Sequence, residues 1–334
     1  LKTKLKTSLR YIIILAITLV LFWLLFKDVP LAKFKEALKE FNYNWILLSM
    51  MISILSHFLR AWRWRLLINS SENEIRLSTS YYAVMIGYFM NSFFPRLGEV
   101  SRCGVAYKSD KVPIPFAFGT VFTERLIDLI MLLLITALTF LLQINLLRDF
   151  FIEKSEATRL FFAENWILIS LVFVVGLAGL LMLFYLGRKN ESGIFGKIMA
   201  FVRQGIKGVI SVTKVKNQVG FWSSTVAIWA LYFVMMYVIT LGSDMTKDLG
   251  LLAGLSILVM GSFGMASPTP NGLVTFHAFV AGVLVLYGIP LDDGKIFATI
   301  LHTSQLITIL IIGSISLILV NVRQKKDKVE PQQT

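Results

Sequence analysis

The sequence predicts an all-α polytopic membrane protein, with about six full transmembrane helices plus two broken, re-entrant helical hairpins in an inverted-topology repeat. Three observations carry this. Of 334 residues, 56% are hydrophobic and only 16% charged, against about a quarter charged in a soluble domain. Runs at 11–26, 120–142 and 166–186 are near or above the length that crosses a hydrocarbon core. Two more apolar regions are interrupted midway, by "PRLG" at 95–98 and by "ASPTPNG" at 266–272.

Taken in order, the first span is expected at 9–26. It lacks a small-residue cleavage site and is read as a retained helix. The loop 27–43 carries four lysines and reads as an amphipathic surface helix with Leu31, Phe34, Leu38 and Phe41 on one face. Further full spans are expected at 44–66, 114–142, 165–187, 219–241 and 295–320, and the broken regions at 79–112 and 249–289. The segment around 191–210 has the make-up of an interfacial helix, and glycines 176, 179, 205 and 208 suit close helix packing.

Lysine and arginine place the N-terminus, the segment 188–218 and the basic tail 321–334 in the cytoplasm of a multi-pass cell-membrane protein. On that path 79–112 enters and leaves on the inner side, and 249–289 on the outer side. One integral membrane domain, 1–334, then divides into halves at about 9–142 and 165–320. Each reads span, span, broken hairpin, span, in opposite orientations. Paired broken segments of this kind mark binding sites in transporters.

The net charge of +13 is explained by cytoplasmic loops, so no nucleic-acid partner is implied. A single cysteine, Cys103, gives no disulfide and no thiolate metal site. His57, His277 and His302 are scattered and match no metal-binding spacing, so no metal and no cofactor are expected. No phosphate-cradling loop followed by Lys-Ser or Lys-Thr occurs, which leaves nucleotide hydrolysis unencoded.

Charge inside the apolar stretches is the informative feature. "NSFFPRLGEVSRCG" (91–104) places Arg96, Glu99 and Arg102 around Pro95 and Gly98. "TERLID" puts Glu124 and Asp128 four apart on one helix face, with Arg125 about 100° round. Each buried charge costs roughly 2.5–3.5 kcal/mol on insertion scales, so these groups must pair or bind something. Arg96 and Arg102 are expected to neutralise Glu124 and Asp128, and Glu99 to pair with Arg125, Arg60 or Arg63. In "RAWRWR" (60–65), Arg63 and Arg65 read as interface anchors beside Trp62 and Trp64. Arg60 falls inside the span and is the candidate third arginine of a polar cavity whose guanidiniums grip an anionic headgroup. Pro268, Pro270, Asn271 and Gly272 mark the second break, with His277 a proton-relay candidate beyond it.

"NSFFPRLGEVSR" followed by "TERLIDL" and a late proline-glycine break resembles the lysylphosphatidylglycerol synthase transmembrane-region family, also known as flippase-like domain proteins, over about residues 9–320. The resemblance implies a membrane domain that moves, or helps move, a phospholipid or other polar lipid between leaflets. In the multiple peptide resistance factor a related domain is fused to a soluble aminoacyltransferase. Here only a short basic tail precedes Thr334, so no such domain is expected. "PTPNGLVTFHAF" departs from the family pattern, with His277 where an acidic residue is expected, which leaves the headgroup open. The alternatives are a membrane-embedded lipid or isoprenoid-phosphate transferase, for which no catalytic residues stand out, and an accessory subunit of a separate lipid-modifying enzyme. A homo-oligomer is compatible with all three.

Overall fold

A computed structural model describes residues 20–144, 146, 212–267 and 269–329, the last five as helix backbone only. The described residues are helical from 20 to 26. There follow α1 (Leu31–Glu40), α2 (Tyr43–Ile68), α3 (Leu77–Phe93), α4 (Leu97–Asp110), α5 (Ile114–Leu142), α6 (Gln218–Thr240), α7 (Leu251–Ala266), α8 (Thr275–Val285) and α9 (Leu291–Val329). Short 3-10 turns occupy Val212–Lys214 and Pro270–Gly272. Among the described residues, α2, α5, α6 and the Leu291–Gln324 part of α9 are long and apolar enough to cross a membrane. Leu129, Leu133, Leu134, Leu138 and Leu141 lie exposed along α5, as do Ile307, Ile311, Ile315 and Ile318 along α9. Such apolar outer faces suit lipid as the solvent. The expected span 165–187, the interfacial helix at 191–210, its glycines and most of the span 9–26 lie outside the described residues.

Local chemistry sets the element ends. Asn42 caps α2 by accepting from the Asn44 N–H, and Asn217 caps α6 by accepting from the Gly220 N–H. The 27–43 segment folds as expected except at its edge. Phe41 is buried and Phe34, Ala37 and Leu38 pack on the core, but Leu31 stays exposed. The reason is length: α1 begins at Leu31, a full turn before the face that docks.

Both broken regions fold as helix–break–helix hairpins whose two legs start and finish together. In the first, Arg76 before α3 pairs with Asp110 at the end of α4 at 2.5 Å, and its N–H donates to Asp110 Oδ2 at 2.9 Å. In the second, Leu252 and Ser256 of α7 meet Tyr287 beyond α8, with Ser256 Oγ and the Tyr287 hydroxyl 2.7 Å apart.

The bases of the two hairpins lie at opposite ends of the bundle. At end I, Gln324 and Arg323 of α9 donate to Ser109 and Ser78 at 3.0 and 3.1 Å, while Leu67 packs with Val212, Val215 and Phe221. At end II, the Asn42 N–H donates to Gly242 O at 2.8 Å, Gln143 donates to Leu252 O at 3.1 Å, and Lys33 pairs with Asp293 at 2.6 Å. The described chain therefore runs end II to I in α2, returns to I through the first hairpin, and reaches II in α5. After 212 it runs I to II in α6, returns to II through the second hairpin, and reaches I in α9.

The tips meet at depth. Ser78 is level with Arg323, and Phe89 is level with Gly313, where a β-carbon would sit 2.6 Å from the phenylalanine Cβ. Continuing that antiparallel register brings the break after Phe93 close to Leu306. Asn271 of the second tip meets His302, and the Pro270–Gly272 turn packs on α3. Both breaks thus face the middle of the Leu291–Gln324 span.

Candidate functional site

Five charged side chains converge where α2, α4 and α5 meet. Arg60 and Arg63 are three apart on α2, so they share a face; Glu124 and Asp128, four apart on α5, share one too. Glu124 stands ten residues into α5, about 15 Å along the axis and so near the middle of a ~30 Å hydrocarbon core. Arg60 Nε lies 2.7 Å from Glu124 Oε1, and Arg60 also pairs with Asp128. Arg63 reaches Asp128 Oδ1 at 2.7 Å and Glu124 Oε1 at 3.4 Å, while Arg102 donates to Glu124 Oε2 at 2.7 Å. Each of the three guanidiniums is at least 94% buried and Glu124 is 2% exposed.

Neutral groups complete the cage. Arg60 donates to the Tyr232 hydroxyl at 2.9 Å, and Arg63 to Thr225 Oγ1 at 3.3 Å. The Arg102 guanidinium lies 3.8 Å from the Trp64 ring centre, close enough for a cation–π contact. Trp64 is itself held by its Nε1–H donating to Thr120 Oγ1 at 3.0 Å.

Among the described residues three arginines face two carboxylates, so the buried cluster as described carries one surplus positive charge. Beside it runs a narrow cleft with room for about one water molecule, partly open to the outside, bordered by Tyr88 and Asn91 of α3, Glu99 and Arg102 of α4, and Arg125 of α5. The Arg102 Nε and Glu99 Oε2 atoms are buried on this border without hydrogen-bond partners among the described residues. Glu99 and Arg125 form an outer pair at 3.2 Å, with the Arg125 side chain 44% exposed.

The first hairpin's break positions Arg102. Pro95 has no N–H and turns Phe94 extended, so α3 ends there. Arg96 takes a left-handed conformation at φ 65° and restarts the chain as α4. Asn91 reaches across to accept the Gly98 N–H at 2.7 Å, serving as the cap that Arg96 cannot supply. Gly98 must be glycine because a β-carbon would collide with Gly87 O and the Asn91 side chain. The two legs thus cross backbone to backbone, and Arg102, one turn further, is delivered to Glu124.

The structure brings Arg60, Arg102, Glu124 and Asp128 together as expected and pairs Glu99 with Arg125. Arg96 does not join them: it is exposed at the tip, because the left-handed turn aims the chain away before α4 begins. Arg63, read as an interface anchor, takes the place expected of Arg96 and is 1% exposed. The signal for it was available in the i, i+3 spacing with Arg60, matched by the i, i+4 spacing of the two carboxylates. Arg65 does stay at the helix end, donating to Ile75 O at 3.3 Å. Cys103 is free and buried.

At the second tip Pro270 and Gly272 are buried, Asn271 and Gly272 are left-handed, and Pro268 lies outside the described residues. His277 is buried in an apolar setting apart from the arginine cluster, beside His302.

Comparison with known proteins agrees with this architecture. Residues 11–313 match the family described as the lysylphosphatidylglycerol synthase TM region. One curated relative, the UPF0104 membrane protein MJ1595 of Methanocaldococcus jannaschii, is 26% identical over 111 residues, covering 32% of this chain and 33% of that protein. The match thus spans about a third of the relative's length. No solved structure matches. With the match running across both hairpins and every arginine of the cluster, the chain belongs to the lysylphosphatidylglycerol synthase transmembrane-region family.

Proposed function

We propose that this protein moves a polar lipid with an anionic, phosphate-bearing headgroup between the leaflets of the cell membrane, using the arginine cleft to take the headgroup. The observation that carries the reading is the surplus charge: three buried guanidiniums against two carboxylates, with an unpaired Arg102 Nε–H on a cleft border. An uncompensated charge at membrane depth is costly, and an anion in the cleft neutralises it. The planar fork of arginine suits phosphate oxygens. Two hairpins based at opposite ends, with tips meeting mid-bundle, support halves of inverted orientation that can present such a site to either leaflet in turn.

The reading is transport rather than catalysis, because Glu124 and Asp128 already give their oxygens to guanidiniums and are not offered to a reacting group. Residues 212–218 and 323–324, which belong to the segment 188–218 with its seven Lys and Arg and to the basic tail, both lie at end I. End I is accordingly the cytoplasmic end and both termini are inside.

The test follows acyl-labelled phosphatidylglycerol and phosphatidylcholine across proteoliposome leaflets for the parent, Arg102→Lys and the exposed control Arg76→Lys. Arg102→Lys keeps the charge and loses the fork, so transfer of the anionic lipid should slow about tenfold, the worth of one charge-assisted hydrogen bond. Arg76→Lys should match the parent. Equal rates for both lipids in all three proteins, with each folded, would sink the headgroup role of the cluster.

A further inference from the structure

We infer that His277 and His302 form a proton-binding site, and that taking up a proton opens the second hairpin tip. His277 on α8 and His302 on α9 are 1% and 4% exposed, and their ring centres stand 4.9 Å apart. Phe22, Phe26 and Phe276 meet the His277 ring edge-on at 6.1, 5.7 and 6.1 Å, so its surroundings are apolar. The His302 Nε2 atom lies 2.9 Å from the Asn271 carbonyl oxygen. A carbonyl only accepts, so Nε2 carries the hydrogen, and Nδ1 keeps its lone pair. Nδ1 of His277 is buried with no hydrogen-bond partner among the described residues.

The same contact restrains a strained turn. Asn271, Gly272 and Val274 have φ of 49°, 68° and 75°. A β-branched residue at positive φ is a true outlier, and such conformations persist only where the surroundings hold them. Here the holders are His302 on Asn271 and the Thr275 hydroxyl, whose one hydrogen is shared between Gly264 O at 2.8 Å and Gly272 O at 3.0 Å.

Among the described residues no carboxylate faces the pair. Helical residues 20–26, α3, α7 and α8 contain no Asp, Glu, Lys or Arg, and their titratable groups besides His277 are Tyr81, Tyr82 and Tyr88 of α3. On α9, Asp292, Asp293 and Lys295 lie two turns away and are tied in ion pairs with one another and with Lys33. On α2, Ser49 is level with Gln305, and His57, Arg60 and Arg63 lie further towards end I. On α4, which meets α9 near Ser109 and Gln324, Glu99, Arg102, Cys103, Tyr107, Lys108 and Asp110 all lie on the end I side. A proton on His277 therefore meets no counter-charge among the described residues while the tip is closed, and one on His302 meets only the dipole of the Asn271 carbonyl. A proton binds better once the tip loosens and water reaches the rings, so by linkage acid favours the open tip. Two touching imidazoles hold one proton readily and a second only against repulsion.

The site stands on its own geometry; its coupling to lipid movement rests on the transport reading above. Hydrogen exchange of residues 264–275 in the full chain in nanodiscs, corrected for intrinsic rates, is compared at about pH 5.5 and about pH 7.5, either side of the ordinary imidazole value. Exchange should rise at the lower pH in the parent. The rise should vanish in His302→Gln/His277→Asn, which keeps polar groups in place but cannot be charged. A parent with no pH response, or a response that survives in the double variant, overturns the proposal. Histidine side-chain NMR of the parent alone decides the matter if the variant does not fold: no proton uptake by either buried ring over that range overturns it too. In proteoliposomes, lipid movement that ignores pH while the tip still opens refutes the coupling and leaves the proton site standing. No lipid movement at either pH refutes the transport reading, and the exchange data then judge the site separately.

Discussion

Glu124 is the residue on which the charged cluster turns, since Arg60, Arg63 and Arg102 all meet its carboxylate. Removing its charge leaves three guanidiniums against Asp128. Glu124→Gln should cost about 3 kcal/mol of stability, the usual penalty for orphaning a buried charge. Adding Arg102→Gln to it removes the unpaired cation and should restore part of that loss, a coupling that thermal unfolding in detergent can read as a double-mutant cycle. If Glu124→Gln unfolds at the parent temperature, the cluster is far better hydrated than its burial implies. Arg96 obeys different physics. It is exposed and left-handed, so its side chain makes no polar contact among the described residues while its backbone is strained. Arg96→Gly should leave stability unchanged or raise it by up to about 1 kcal/mol, checked by the same unfolding experiment.

Among the elements, α4 offers an internal comparison. Gly98 lies against Gly87 O and Asn91, whereas a β-carbon at Gly104 would meet nothing within 4 Å. Gly98→Ala should therefore force the hairpin legs apart and destabilise by about 1–3 kcal/mol, the usual cost of overpacking. Gly104→Ala, in the middle of the same helix, should be neutral or stabilising by about 0.5–1 kcal/mol through helix propensity. The reverse order in a melting series would mean that the legs do not cross at Gly87 and Gly98. Hairpins were legible in the sequence because Pro95 and the Pro-Asn-Gly run interrupt apolar stretches that are otherwise long enough to continue. Their exact caps were not. Asn91 caps α4 from a different helix, and no local pattern announces a cap that arrives across space.

At the scale of the whole molecule, the two ends of the bundle are the testable object. Glu72 and Lys216 are exposed at end I, Glu36 and Asp248 at end II. Cysteines placed singly at Glu72 and Lys216 should react with an impermeant maleimide from one side of the membrane only, and cysteines at Glu36 and Asp248 from the other only. The native Cys103 is buried and gives little background. Labelling of Glu72→Cys and Asp248→Cys from the same side would dismantle the described path, because the two hairpins could not then be based at opposite ends.

By itself the sequence determined the class of solvent, the spans within the described residues to within a few positions, and the two breaks, because these depend on runs and interruptions along one chain. It also determined that the carboxylates at 124 and 128 share a face and require cationic partners. Which cations those are was decided only by tertiary structure. Arg63 and Arg96 are both arginines near a helix end, and in one dimension the proline-flanked one looks the better candidate. In three dimensions the left-handed turn at Arg96 carries it outward, while α2 lies against α5 along the face that Arg60 and Arg63 share. The pairing of His277 with His302 was equally hidden, since it joins residues from two helices that meet only because the second tip folds back onto α9. Local pattern is set by neighbours in sequence, whereas charge compensation and ring contact are set by which faces meet, and the meeting is a property of the assembled bundle alone.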